Sequence, residues 1–314
     1  MTTDVLRWGQ SAYETDLDLG QEEAGAQALG LTWSQQDERS TPDLSGVRAL
    51  VVTSRVRVDA ALLQRFSGDL VLTTTSGHDH IDVPAAWARG VRVGRCPLAR
   101  RDPVVEQSLG ALIGLLRRQP ALQDAARAGR WARGDLPSLA PVALRGATVL
   151  IIGLGVIGRR MAAVLRALDA EVWGIDPAGV PDGIRAVTLD EGLAGADAVT
   201  VHSALTPSSR GLFGAGNLAA MRPGAVLVNT ARGAVVDPDA AVAAVRSGHL
   251  RGVALDVFPA EPWPGMRDAA EVPGVWLTPH AAGYDRGLGA RVASEVNDAL
   301  AAWVAGKPLP HPVR

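Results

Sequence analysis

The stretch TVLIIGLGVIGRRMAAVLRALDAEVWGID, Thr148 to Asp176, leaves a chain few ways to fold. An apolar run reads as a buried strand. Directly after it come Gly153, Gly155 and Gly158 in the spacing G-x-G-x-x-G, then a segment with helical periodicity, then a second apolar run that ends in Asp176. In a strand–turn–helix unit the first glycine permits the tight turn. The second lets backbone approach a pyrophosphate, and the third lets the helix pack close to the strand. The N-terminus of such a helix offers N–H groups and partial positive charge to phosphates. Asp176 follows Gly158 by 18 residues, about where an acid meets the ribose hydroxyls of the adenosine. A carboxylate there repels a 2′-phosphate, so NAD is favoured over NADP. A turn of an α/β fold that binds no nucleotide is the plainer reading, and the acid in place counts against it.

The same alternation runs on. ATVLIIG, AEVWGID, AVTVHS, AVLVNT, GVALDV and VWLTPH are short, continuously apolar and separated by helical segments. That is the signature of a parallel sheet covered on both faces. One helix is well punctuated, with Asp237 to cap it, Pro238 in its first turn and Gly248 to end it. A last helix is expected from about Asp285 to Ala305. Upstream, GVRALVVT, DLVLTTT and VRVGRC read as strands, and VDAALLQRF and VPAAWARG as helices. The first 97 residues thus form a small α/β domain, although residues 1 to about 45 are polar and show little pattern. DPVVEQSLGALIGLLRR is a long helix with Asp102 as N-cap and Pro103 at its first position. It is apolar on much of its circumference, which fits burial between domains or subunits. QDAARAGRWARGDLPSLAPVALRG reads as a polar, partly helical linker.

Length and composition set outer bounds. The 314 residues suffice for two domains with real cores. A net charge of −2 offers nothing that would draw nucleic acid or an anionic membrane. Cys96 is the one cysteine, so neither a disulfide framework nor a Cys-rich metal site is expected, and no metal. No uninterrupted apolar run approaches the roughly 18 residues of a membrane span. The opening MTTDVLRWGQ has no basic stretch followed by an apolar one. A cytoplasmic protein is the expectation.

Three residues at the ends of expected strands raise the question of chemistry. They are Arg232 after VLVNTA, Glu261 after VALDVFPA and His280 after WLTP. Each has an ordinary reading: a surface ion-pair partner, a loop residue before a proline, a structural histidine. Ligands of open α/β sheets, however, bind beyond the carboxyl ends of the strands, so all three can face a nicotinamide. Reduction of a ketone needs a hydride at the carbonyl carbon and a proton at its oxygen. A histidine can give that proton, and a carboxylate on the other ring nitrogen orients it. An arginine can hold a 2-oxo acid's carboxylate in a planar fork.

IIGLGVIGRR, LVNTARGAVVD, ALDVFPAEP and LTPHAAGY, in that order, resemble the D-isomer-specific 2-hydroxyacid dehydrogenases. The phosphoglycerate, glycerate, D-lactate, erythronate-4-phosphate and formate dehydrogenases belong to that family, and the resemblance covers nearly all of the chain from about Gly46. It implies an α/β architecture of two Rossmann-like, doubly wound parallel-sheet domains. The NAD-binding domain (99–284) is inserted into the substrate domain (1–98 and 285–314), so the last helix returns to the first domain. It implies closure over the substrate and a homodimer. The activity implied is NAD-dependent hydride transfer between a D-2-hydroxy acid and a 2-oxo acid. Arg232 then binds the substrate carboxylate, Glu261 partners His280, and His280 is the acid/base. The implied cofactor positions are Gly153, Gly155 and Gly158, Val156 and Ile157 at the pyrophosphate, Asp176 on the ribose, Asp256 on the nicotinamide amide and Thr206 in the cofactor loop. His202, Thr230, Ala231 and Gly283 complete that set. The N–H groups of Ser76 and Gly77 are implied to bind the substrate carboxylate.

Relatives of this kind include corepressors, so a non-enzymatic NAD-sensing protein is the second reading. A formate dehydrogenase is weaker, since the chain is short and the usual substrate-side Asn is absent. At that place stands Arg100. His80 replaces another common Asn and reads as a turn residue bonding backbone, and Ala204 stands where proline is common. Arg55, Arg57, Arg100 and Arg101 either reach a substrate phosphate or second carboxylate or lie solvated at the surface. In so arginine-rich a chain the solvated reading is preferred.

Overall fold

Strands in this protein are short runs that send alternate residues to two apolar layers. In the computed structural model, which describes residues 3–313, the chain divides into two compact units. One takes the chain as far as Arg100 and again from Tyr284; the other is Arg101–Gly283.

The first unit runs β1 (Val5–Trp8), α1 (Asp16–Ala28), β2 (Trp33–Gln36), β3 (Ala49–Val52), α2 (Ala60–Arg65), β4 (Leu70–Thr73), α3 (Val83–Ala88) and β5 (Arg92–Arg95). The five strands are all parallel, in the order β2-β1-β3-β4-β5. Leu6, Leu50, Val52 and Val71 face one layer of the core, and Val5, Ala49, Val51 and Leu70 the other. The elements β1, α1 and β2 fall where the sequence shows little pattern. The reason is Arg7, fully buried in the middle of β1 and paired with Glu14 at 2.6 Å and Glu22 at 3.5 Å. Burial pushes the Glu22 carboxyl up, and Arg7 pulls it down.

The second unit opens with α4 (Arg101–Leu116), α5 (Gln119–Arg127) and α6 (Leu136–Leu139). It continues β6 (Thr148–Ile152), α7 (Val156–Ala167), β7 (Glu171–Ile175), β8 (Arg185–Ala186), α8 (Leu189–Gly195), β9 (Ala198–Val201), α9 (Ala215–Ala220), β10 (Val226–Asn229), α10 (Pro238–Arg246), β11 (Gly252–Leu255), α11 (Met266–Ala270) and β12 (Val275–Leu277). Its seven strands are parallel, ordered β12-β11-β10-β9-β6-β7-β8. Val149 and Ile151 point into one core layer, Leu150 and Ile152 into the other. That is why β6 is apolar at each position from Val149 to Ile152 rather than at every second one. After Gly283 the chain returns to the first unit as α12 (Leu288–Val304).

One local expectation is corrected. Asp102 does not precede the long helix: α4 starts at Arg101, and Asp102 lies in its first turn. Its carboxylate takes the guanidinium groups of Arg101 and Arg160, at 2.7 and 3.0 Å, and they hold it below the usual carboxylate range. Part of the apolar girth of α4 is used within its own unit, where Leu112, Leu115 and Leu116 join Val226 and Val228 in one cluster. At α10 the expectation holds. Asp237 accepts from the N–H groups of Asp239 and Ala240, and Gly248, at φ +78°, follows the last turn.

Candidate active site

Because the seven-stranded sheet is parallel, every strand delivers its carboxyl end to the same edge. The order places β6 between β9 and β7, so the chain leaves β6 in one direction and returns on its other side. Such a switch point is where a crevice opens. The glycine turn sits there. Gly153 has φ +91°, and a Cβ on it would come within 2.6 Å of Ser203 backbone. A Cβ on Gly158 would come within 2.0 Å of the Gly153 carbonyl oxygen. Gly155 differs, since nothing lies within 4 Å of where its Cβ would be. It precedes α7, whose N-terminus carries no side-chain cap. Val156 and Ile157 open that helix. Two glycines forced by backbone contact, a third facing open space and an uncapped twelve-residue helix together fit a pyrophosphate cradle. Asp176 follows β7, and its carboxylate accepts from Leu154 N at 2.6 Å and Ala178 N at 2.8 Å. The acid is thereby tied to the glycine turn itself.

On the other side of the switch, β10, β11 and β12 lie side by side. Asn229, fully buried at the end of β10, shapes the loop that follows. Its amide donates to Arg232 O at 3.1 Å, and its Oδ1 accepts from Ala231 N at 3.1 Å. Thr230 is steadied by Ser108 of α4, hydroxyl to hydroxyl at 2.8 Å. Gly233 then packs against the next strand's loop so closely that a Cβ would lie 1.9 Å from the Phe258 carbonyl carbon. The Arg232 loop is therefore pressed against the segment that leads to Glu261. Arg232 itself is half-buried in extended backbone, and its Nη1 donates to Ala231 O at 2.8 Å.

Glu261 and His280 meet. Glu261 Oε1 accepts from Phe258 N at 3.0 Å, and Oε2 lies 2.8 Å from His280 Nδ1. The pair is open to ligands, with 39% and 51% of the two side chains exposed. His280 adopts φ +56°, unusual outside glycine. Asp256 holds it there. This carboxylate, 2% exposed, accepts from the Thr278 hydroxyl at 2.5 Å, Ala281 N at 2.8 Å and Ala282 N at 3.0 Å. The backbone carbonyl of Asp256 also accepts from His280 N at 2.7 Å, and its N–H donates to Asn229 O at 3.0 Å. Asn229 and Asp256 are thus bonded neighbours, one templating the loop of Arg232 and the other that of His280.

The remaining sequence candidates have these places. His202 follows β9; its Nε2 lies 3.0 Å from Thr200 Oγ1, and burial pushes its pKa down to about 4. Thr206 begins an exposed turn closed by Ser209 Oγ at 2.8 Å. Gly283 is buried and ends the second unit. Ser76 and Gly77 belong to the first unit, in the turn after β4. Their carbonyls accept from Arg95 at 3.3 Å and Thr75 Oγ1 at 2.7 Å, while their N–H groups bond no other residue among those described. His80 lies in the same connection, and its carbonyl accepts from Val58 N at 2.9 Å. Of the four arginines, Arg55 and Arg57 are exposed, Arg55 pairing with Glu38 at 3.0 Å, and Arg101 pairs with Asp102. The solvated reading is corrected for Arg100, which is half-buried with Nη1 donating to Thr74 O at 2.5 Å. Pattern reading passed over Asn229, Ser108 and the packing of Gly233. A strand-final Asn ahead of the small residues Thr230 and Ala231 was the one available signal for the first.

Among the described residues no group of three or more His, Cys, Asp or Glu side chains is placed to hold a metal ion. Nor is any helix long and apolar enough to cross a membrane.

Residues 109–282 match the family model described as D-isomer specific 2-hydroxyacid dehydrogenase, NAD binding domain. D-3-phosphoglycerate dehydrogenase of Mycobacterium leprae is 35% identical over 84% of this chain, which spans 51% of that protein's length. Glyoxylate reductase of Thermofilum pendens is 32% identical over 80% of the chain and 76% of its own length. The crystal structure of a glyoxylate reductase from Paecilomyes thermophila superposes with a TM-score of 0.81, at 25% identity, over 100% of this chain and 99% of that one.

Proposed function

The chain belongs to the D-isomer-specific 2-hydroxyacid dehydrogenases, and from that premise we propose that it interconverts a 2-oxo acid and the corresponding D-2-hydroxy acid, with His280, Glu261 and Arg232 as the reacting set. The observation that carries the assignment is the 2.8 Å contact between His280 Nδ1 and Glu261 Oε2 beside the Arg232 loop. A histidine so held has one nitrogen committed and Nε2 available to the substrate. Gly153, Gly155, Gly158, Val156 and Ile157 hold the pyrophosphate of the dinucleotide, and Asp176 its ribose. When bound, NADH supplies the hydride for the carbonyl carbon.

The chain's own residues do the rest. Arg232 grips the substrate carboxylate through two parallel N–H groups, which also orients the carbonyl. His280 Nε2 gives its proton to the carbonyl oxygen as the C–H bond forms, so no alkoxide is released to water. Glu261 keeps the ring facing the substrate and balances its charge while it is protonated. In the reverse direction the same nitrogen takes the hydroxyl proton. Ser76 and Gly77 offer N–H groups to the carboxylate.

The test is NADH oxidation on a panel of 2-oxo acids, with His280→Ala and Arg232→Ala alongside the wild type. His280→Ala should lower kcat by about 10²–10⁴-fold, the usual worth of a general acid, while NADH still binds. Arg232→Ala should lower kcat/KM for the acid and leave NADH affinity in place. Near-native rates in either variant would sink its assigned role. Tight NADH binding with no turnover on any acid would favour an NAD-sensing protein instead.

A further inference from the structure

The dehydrogenase reading leaves open what the substrate carries beyond its second carbon. Arg100 bears on that. Its guanidinium forms no ion pair among the described residues and makes one hydrogen bond, from Nη1 to Thr74 O. Its Cζ lies 5.9 Å from the ring centre of Tyr284, which in turn stacks on Tyr13 with centroids 3.6 Å apart. Burial lowers the pKa of this guanidinium, the sign of a cation short of compensation. The acids whose charge reaches Arg100 are already committed. Glu14 takes Arg7 Nη2 and Ser11 N, both at 2.6 Å, and Glu295 takes the N–H groups of Leu98 and Ala99. Among Arg55, Arg57, Arg100 and Arg101, Arg100 is the one that is half-buried with no carboxylate partner among the described residues.

Its position adds direction. Thr74 stands at the carboxyl end of β4, one residue before the turn that presents the Ser76 and Gly77 N–H groups. Arg100 is therefore anchored by one N–H at the base of a candidate carboxylate-binding turn, with the rest of its fork bonding no protein acceptor among the described residues. A partly desolvated cation gains from an anion that meets it, and a planar guanidinium fits carboxylate and phosphate alike.

We propose that Arg100 is a specificity-determining residue that receives a second anionic group, carboxylate or phosphate, on the carbon chain of the 2-oxo acid, with the Tyr13–Tyr284 stack beside it. This rests on the reading of the turn and of Arg232 as the grip on the first carboxylate. The site then selects dianionic 2-oxo acids over monoanionic ones of like length.

Two matched pairs test it: 3-phosphohydroxypyruvate against hydroxypyruvate, and 2-oxoglutarate against 2-oxopentanoate. In the wild type, kcat/KM should favour the dianionic member of at least one pair. The favoured pair tells phosphate from carboxylate. Arg100→Met should reduce that preference by about 50-fold, the worth of a hydrogen-bonded ion contact, and Arg100→Lys should retain part of it. A wild type without preference in either pair, or an Arg100→Met enzyme that loses rate on both members in proportion, overturns the proposal and leaves Arg100 as a brace for the turn. Calorimetric titration of the NAD⁺-loaded protein with the same four acids separates the two readings, since no hydride is then available. Dianion binding that Arg100→Met abolishes, in a protein that turns over none of the acids, keeps the anion site and discards the dehydrogenase. Equal binding of dianion and monoanion by the wild type discards the anion site.

Discussion

His202 follows β9 with its ring sheltered from water, and that shelter penalises the charged imidazolium. Its folded pKa is about 4, below the ordinary value of 6.5. Between those two values the unfolded chain binds the extra proton, so the contribution to stability is full above pH 6.5 and is lost as pH falls toward 4. The loss should reach about 2 kcal/mol by pH 5. Urea unfolding at pH 7.5 and pH 5 should show a smaller drop for His202→Gln than for the wild type. Equal drops would mean the ring is not shielded. Asp256 makes a second residue-level prediction. Asp256→Asn keeps one acceptor oxygen and turns an NH2 group toward either Ala281 N–H or Ala282 N–H, which bond different oxygens of the carboxylate, so one of them loses its partner at a cost of about 1–3 kcal/mol. Amide hydrogen exchange at those two positions should accelerate and kcat should fall. A loss confined to NADH affinity, with exchange unchanged, would instead support a direct contact with the nicotinamide amide.

Glycines of one element can be told apart by what surrounds them. Gly155→Ala places its methyl in open space at φ −70°, so stability should hold while NADH affinity falls, because the pyrophosphate loses its close approach. Gly158→Ala pushes a methyl onto the Gly153 carbonyl, and Gly233→Ala pushes one onto Phe258 backbone. Both should lower the melting temperature as well as activity, by the 1–3 kcal/mol typical of overpacking. Thermal unfolding together with NADH titration separates the two classes. The same contrast marks what could be read from sequence. β6, β7, β9, β10, β11 and β12 were legible because they are mostly buried and carry runs of apolar residues, broken only by single polar ones such as Thr200 and Asn229. Arg232, Glu261 and His280 were legible because each follows such a strand. β1 was hidden by a buried arginine whose partners, Glu14 and Glu22, lie in other segments. β2 shows four residues, Trp33–Gln36, none of them fully buried. The two-residue β8 is exposed and has no apolar signal at all. Asn229, Gly233 and Arg100 act through contacts across loops, which no local pattern encodes.

At the scale of the whole molecule, the first unit is assembled from both ends of the chain. Leu288, Val292, Val296, Leu300 and Trp303 of α12 complete the core layer formed by Val5, Ala49, Val51, Leu70 and Leu72. Each such side chain contributes roughly 1.5–3 kcal/mol on burial, and their sum rivals the total stability of a domain, about 5–15 kcal/mol. Ending the chain after Gly283 should therefore leave amides of β1, β3 and β4 exchanging freely, while the seven-stranded sheet keeps its protection and still binds NADH. Protection surviving in β1 would refute this dependence. The return of α12 also sets a timetable. On the ribosome, β1 to β5 emerge well before α12, and the helix that completes the cover of one face of their sheet is made only after the inner unit. The inner unit, contiguous in sequence, can close while the outer one waits. A nascent chain is thus at its stickiest when the inner unit is out and α12 is not, with Val51 and Leu70 made and not yet covered by it.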